Sequence, residues 1–339
     1  MKENPFIAGV LTPALCLFSL SAIAATEEHF TNHFAVRPGG RVVVAVEMGA
    51  VDVATNSGSE VVVEVWRKIA RSKKANEDAY LKNHPVEISQ DGNTVTVRCQ
   101  HKDNWSWDFS GQNQNEAKYT ITVPAQFNAR LETSGGGISV SDIIGEVKAE
   151  TSAGGLRFSR LHGPLDGSTS GGGIQAKDCD GKLKLETSAG GIAITGGSGS
   201  LKAETSGGPI TLKTFRGPAS LETSAGGISL DDVIGEIRAE TSGGGIKASL
   251  PSPIAGGIRL ETSAGGITLR LPADAAFNLD AETSAGSVNS ELPVTVIGKQ
   301  ESDHLKGSVG GGGPSIVLRS SGGSIHLLKS QPVLVEDPK

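Results

Sequence analysis

The sequence predicts an all-β protein. It reads as a parallel β-solenoid (β-helix) of about nine to eleven coils, with 18-residue and later 21-residue repeats and a strand-rich N-terminal cap. Three observations predict it. The tripeptide Glu-Thr-Ser recurs, with its threonine at Thr133, Thr151, Thr169, Thr187, Thr205, Thr223, Thr241, Thr262 and Thr283 and the glutamate replaced only once, by Ser168, a spacing of 18 held six times and then 21 twice. Two glycine columns keep that register, one from Gly136 to Gly286 and one from Gly145 to Gly235. Between them apolar and polar residues alternate, which is the period of a strand.

Taken in chain order, residues 1–24 are expected to be a secretory signal peptide. Lys2 precedes the apolar run Phe6–Leu20, and Ala22-Ile23-Ala24 offers small residues for cleavage. The run is too short to span a membrane, and no later segment approaches 18 apolar residues. Export to the periplasm, the cell surface or the medium follows.

Residues 25–128 are expected to form a β-rich cap and the first coils. Val42–Val46, Val51–Val53, Val61–Val65 and Val95–Val97 read as strands, and Ser72–Asn83 as a short helix closed before Pro85. An open solenoid end needs such a cover, because its unpaired strand edge invites aggregation.

Residues 129–290 are the regular repeat. In Leu221–Glu240, Ile228 and Leu230 face one way and Ser229 the other; after a turn, Ile237, Ala239 and Thr241 face in while Arg238 and Glu240 face out. One unit is therefore strand, turn, strand, turn. About five inward side chains stabilise such a unit by roughly 5–8 kcal/mol, which is less than ordering 18 residues costs. Stacking resolves the deficit, and stacking demands a constant coil length. Inward columns run Ile138, Leu156, Ile174, Ile192 onward, and Ile143, Leu161, Cys179, Phe215, Val233. The outward glutamates would repel one another, but Arg130, Lys148, Lys184, Lys202, Arg238 and Arg259 each stand two residues before one. Asp280 beside Glu282 breaks that pattern. Residues 291–328 are expected to be C-terminal coils, in which Ser320 replaces the repeat threonine, and 329–339 a tail.

Tyr119-Thr120-Ile121-Thr122-Val123-Pro124, then Leu131-Glu132-Thr133-Ser134-Gly135-Gly136-Gly137-Ile138, and the closing Leu305–Leu327 stretch resemble a bacterial β-strand-repeat family of unknown function, commonly labelled "putative adhesin". The resemblance spans roughly residues 35–328. Its motifs are structural, and the family brings no catalytic residues to transfer.

A net charge of -6 excludes a polybasic nucleic-acid binder. No catalytic residue, cofactor site or metal site is expected. The seven histidines lack ligand spacing, Asp178 and Asp180 lack the rest of a calcium loop, and the glycine loops lack the Lys-Ser/Thr of a phosphate loop. Cys99 and Cys179 are expected to be small buried hydrophobes rather than a disulfide. The outward column Ser139, Arg157, Gln175, Ala193, Thr211, Ser229, Lys247 carries no carboxylate pair or basic cleft of a carbohydrate-active enzyme. Trp105, Trp107 and Phe109 alternate in a polar setting, so three rings can share one face; they are the candidate ligand contacts. The expected function is an exported, non-enzymatic envelope protein with an adhesin-like or structural role, its partner an envelope or surface glycan or protein. The alternatives are an envelope-stress regulatory partner and a carbohydrate-active β-helix enzyme.

Overall fold

A computed structural model describes residues 25–71, 73–99, 114–296 and 301–330. The cap comprises β1 (Thr26–Ala35), β2 (Gly40–Val46), β3 (Ala50–Asn56), β4 (Glu60–Ala70), α1 (Lys74–Asn83), β5 (Glu87–Asp91), β6 (Thr94–Cys99) and β7 (Gln114–Pro124). The regular coils follow as strand pairs: β8 (Phe127–Thr133) with β9 (Ile138–Ser141), β10 (Val147–Thr151) with β11 (Leu156–Ser159), β12 (Leu165–Thr169) with β13 (Ile174–Lys177), and β14 (Asp180–Thr187) with β15 (Ile192–Thr195). Next come β16 (Ser198–Thr205) with β17 (Ile210–Arg216), β18 (Ala219–Thr223) with β19 (Ile228–Ile234), β20 (Ile237–Thr241) with β21 (Ile246–Ser249), and β22 (Ile258–Thr262) with β23 (Ile267–Leu271). The chain closes with β24 (Phe277–Thr283), β25 (Val288–Ser290), β26 (Thr295–Val296), β27 (His304–Val309), β28 (Ser315–Ser320) and β29 (Ile325–Lys329).

Each strand of the regular coils pairs in parallel with the strand one coil away. Thus β10 lies between β8 and β12, and β11 between β9 and β13. Two parallel ladders result, the first of even-numbered strands and the second of odd-numbered ones, facing each other across the core. The register sets threonine over threonine, as Thr151 over Thr133 and under Thr169. The expected inward columns are buried, Cys179 among them at 1% exposure. Val288, in the short strand at the C-terminal end, is only half-buried.

At both ends the stacking order departs from the chain order. β2 pairs with β6 on one side and β8 on the other, so the β2/β3 coil lies inside the later β6/β7 coil. At the other end β28 pairs with β22 and β24, and β29 with β23 and β25. The last repeat in the chain therefore sits one coil in from the end. Antiparallel strands then close the stack: β4 on β7, β1 on β4 and β5 on β6 at the N-terminal end, and β27 on β24 at the other.

The repeat threonine is a hydrogen-bonding rung. Thr205 is 6% exposed; its hydroxyl donates to the Gly190 carbonyl at 2.8 Å and accepts from the Gly208 amide at 3.3 Å. The same pair of bonds recurs from Thr151 to Thr262, and Ser320 reproduces it with Gly265 and Gly323. Thr205→Val keeps the shape and orphans both backbone groups, so it is expected to cost about 1–3 kcal/mol. Thr205→Ser is expected to retain most of that stability. Denaturant midpoints of the two variants check this.

The opposite corner holds a row of left-handed residues: Asp142, Arg160, Asp178, Gly196, Thr214 and Asp232, with φ from 51° to 74°. Asp tolerates that region, whereas a β-branched Thr at φ 53° is strained. Next to this row, Gly181 has φ 127° and an added Cβ would lie 2.5 Å from the Gly163 carbonyl oxygen.

Candidate functional site

Three outward surfaces carry polar side chains in rows. On the first ladder, five of the repeat glutamates are tied to the cation two residues before them. Arg130–Glu132 measures 2.8 Å, Lys184–Glu186 2.9 Å, Lys202–Glu204 2.6 Å, Arg238–Glu240 2.6 Å and Arg259–Glu261 2.5 Å. Donating to the carboxylates of Glu186 and Glu204 raises the pKa of Lys184 and Lys202. Partial burial, and next the hydrogen bond shared with Glu261, raise the Glu240 carboxyl above its ordinary value.

Where these strands turn, the serine after each threonine projects outward beside the glutamate. Two open grooves of about 500 and 450 Å³ run end to end along this edge, the first from Glu150 to Ser224 and the second from Glu222 to Ser321. Their walls offer carboxylates and hydroxyls, which suit hydrogen bonds to an extended polar ligand.

Asp280 closes the first ladder. Its pattern-breaking position is explained by the chain crossing back: Lys306 on β27 reaches it at 3.0 Å and Arg319 on β28 at 2.8 Å. Partial burial acts to raise its pKa, but the hydrogen bonds from Lys306 and Arg319 outweigh it and leave the value lowered. A carboxylate with a depressed folded pKa adds stability above the ordinary carboxylate range, and that stability is lost as pH falls through the folded value. Acid is therefore expected to loosen β27 and β28 first. Asp280→Asn is expected to cost about 1–2 kcal/mol at neutral pH and to flatten this acid response. Amide exchange of β27 and β28 at pH 7 and pH 4 measures both effects.

The second surface is the left-handed corner, where a shallow hollow of about 500 Å³ is lined by Asp142, Ile144, Arg160, His162, Asp178 and Asp180. Ile144 is 48% exposed and is the one large exposed hydrophobe among the described residues. Both arginines are matched, Arg160 with Asp142 at 2.6 Å and, further along, Arg216 with Asp232 at 2.8 Å, and the His162 ring lies 3.0 Å from Asp180. The Arg160 hydrogen bond holds the Asp142 carboxyl below its ordinary range.

The third surface is the outer face of the second ladder. Its first row is the column named from the sequence, Ser139 to Lys247. Two residues further along each strand runs a second row: Ser141, Ser159, Lys177, Thr195, Lys213, Asp231, Ser249 and Arg270. Sequence reasoning stopped at the first row and missed these cations; applying the period of two once more would have found them.

Trp105, Trp107 and Phe109 fall within 100–113, between β6 and β7 and outside the described residues, as do residues 1–24. Beside that segment, Cys99 is half-buried and its thiol is raised by burial. Nearby, Arg67 is 5% exposed and bonded to Glu28 at 2.5 Å and to the His84 carbonyl at 2.6 Å. Burial likewise raises the Cys179 thiol, and both cysteines are free. Among the described residues no helix is long and apolar enough to cross a membrane.

These rows and the two facing ladders define a stacked-repeat β-solenoid protein. The chain belongs to the Toastrack DUF4097 family, whose model matches residues 45–328. No curated protein matches it. Among solved structures, it is similar to a putative cell adhesion protein from Clostridium sporogenes (11% identity, 90% of this chain and 100% of that one, TM-score 0.20). It is also similar to a putative adhesin from Parabacteroides merdae (10%, 90% and 97%, TM-score 0.35). A third is a putative lipid binding protein from Parabacteroides distasonis (11%, 88% and 96%, TM-score 0.36). At that identity and superposition, the likeness transfers no ligand or activity to this chain.

Proposed function

We propose that this protein is an exported, non-enzymatic module of the cell envelope that acts by adhesin-like binding through its long faces. The observation that carries this reading is the register. Outward side chains stand in straight rows over many coils, and the hollows between them are open grooves rather than enclosed pockets. Glu186, Glu204 and Glu261 are committed to neighbouring cations, an arrangement that presents a face rather than a poised acid–base pair. Export rests on the leader pattern of residues 1–24. The N-terminal rings Trp105, Trp107 and Phe109 are the proposed aromatic contacts.

A pull-down of the purified protein against envelope fractions and a glycan panel, with Trp105→Ala/Trp107→Ala alongside, tests this. Saturable capture is expected, weakened in the folded double variant. Absence of capture from every fraction would contradict the binding role and favour a structural or regulatory one. Loss of polymer viscosity on incubation would point instead to an enzyme.

A further inference from the structure

The two outer faces differ in charge although the repeat that builds them is the same. Between β8 and β22 the first face alternates cations with carboxylates, most of them in the ion pairs above. In its two rows between β9 and β23 the second face carries Arg157, Lys177, Lys213, Lys247 and Arg270 against one carboxylate, Asp231; the corner beyond the second row adds Asp178, and Asp142 and Asp232 paired with Arg160 and Arg216. All five cations are exposed, and none forms an ion pair among the described residues. A chain of net charge -6 thus concentrates positive charge on one flat surface. Such a field attracts polyanions and is felt most at low salt.

Geometry narrows the ligand. In coil order the cations fall on β11, β13, β17, β21 and β23, so neighbours are one or two coils, roughly 5 or 10 Å, apart along the axis, and the one-coil neighbours also lie in different rows. A nucleic-acid duplex carries a charge about every 1.7 Å, far denser than this. A lipid surface is met by tightly clustered basic residues or an exposed apolar face; these cations are spread over several coils, and the one large exposed hydrophobe among the described residues, Ile144, lies at the corner instead. Between the cations stand hydroxyls and an amide: Ser159, Gln175, Thr195, Thr211 and Ser229. Gly155, Gly173 and Gly191 leave an axial trough of about 340 Å³ beside Arg157 and Gln175. The trough runs in the direction an extended polymer would take.

We infer that the outer face of the second ladder binds an extended acidic polysaccharide of sparse charge, about one carboxylate per disaccharide, laid along the solenoid axis. This deepens the envelope-binding reading and rests on it. The carboxylates would meet the five cations, and the sugar hydroxyls would meet the serine, threonine and glutamine rows.

The test uses immobilised hyaluronan as the probe, with neutral dextran and duplex DNA in parallel, and the full protein against Lys177→Glu/Lys213→Glu/Lys247→Glu. A milder Lys→Gln triple variant covers the case in which charge reversal disturbs folding, monitored by circular dichroism. The expected result is binding to hyaluronan that weakens as salt rises, no binding to dextran, and a loss of about tenfold or more in affinity in the folded variants. Binding that survives in the variants, no binding to hyaluronan, or tighter binding to DNA would overturn the inference. Envelope capture run on the same variants separates the two claims. Capture by the parent protein that persists unchanged in the triple variants leaves the envelope role standing and sinks only this face. No capture by the parent sinks the envelope role itself.

Discussion

Gly190→Ala is expected to destabilise the protein by about 4 kcal/mol or more, enough to melt the central coils. The reason is contact between backbones. A Cβ at Gly190 would lie 2.0 Å from the Gly172 carbonyl oxygen and 2.4 Å from its carbon, atoms that no rotamer change can move. That carbonyl also accepts the Thr187 hydroxyl at 2.8 Å, so displacing it also breaks the Thr187 rung, whose hydroxyl accepts from the Gly190 amide itself. The same clash recurs at Gly154, Gly172, Gly208 and Gly226. Gly207→Ala, one residue from the same column, is the control. Its Cβ would meet the nearest atom at 3.1 Å, and the expected loss is under about 1 kcal/mol. Thermal unfolding followed by circular dichroism distinguishes the two.

Phe158→Ala is expected to cost about 3–5 kcal/mol by opening a cavity between the ladders. Phe158 is 2% exposed, and its ring occupies the space left by Gly167, where an added Cβ would lie 2.8 Å from it. The next coil carries the reverse pair, Ala176 in the column of Phe158 and Leu185 in the column of Gly167. Phe158→Ala/Gly167→Leu therefore copies a combination the fold already uses. It is expected to recover at least half of the loss, whereas Gly167→Leu alone overpacks and costs about 1–3 kcal/mol. A double-mutant cycle reads the coupling directly. Additive losses would mean that the two positions do not share one space.

Much of the fold was legible because each coil repeats one local solution. The Glu-Thr-Ser spacing predicted the parallel register, the alternation predicted which columns are buried, and the cation two residues before a glutamate predicted five of the six expected ion pairs, Lys148 and Glu150 being the exception. The ends were less legible. Parallel pairing is indifferent to chain order, so nothing local in Leu318–Ile325 marks it as lying inside β24 and β25. Asp280 carried the clue, since a carboxylate without its own cation had to find Lys306 and Arg319 elsewhere. The left-handed corner was hidden for another reason: Asp142, Arg160 and Thr214 share no residue type, because backbone geometry rather than a side chain defines that row. Of the surfaces, the second ladder's basic face was half visible. Arg157 and Lys247 lay in the row that was followed, and Lys177, Lys213 and Arg270 in the one beside it.

Every face, row and groove depends on the stacking register, so the most direct measurement is a cross-link that reports it where chain order and space disagree. Arg259 on β22 and Val317 on β28 are lateral neighbours, and Val317 in turn neighbours Asp280 on β24. Arg259→Cys/Val317→Cys, with Cys99 and Cys179 replaced by serine and alanine, is expected to form a disulfide on mild oxidation, because adjacent strands place the Cα atoms within bonding range. Arg259→Cys/Asp280→Cys spans two coils, roughly 10 Å, and is expected to stay reduced. The opposite outcome, a bond between positions 259 and 280 and none between 259 and 317, would contradict the interposed terminal coil and the register on which the binding faces rest.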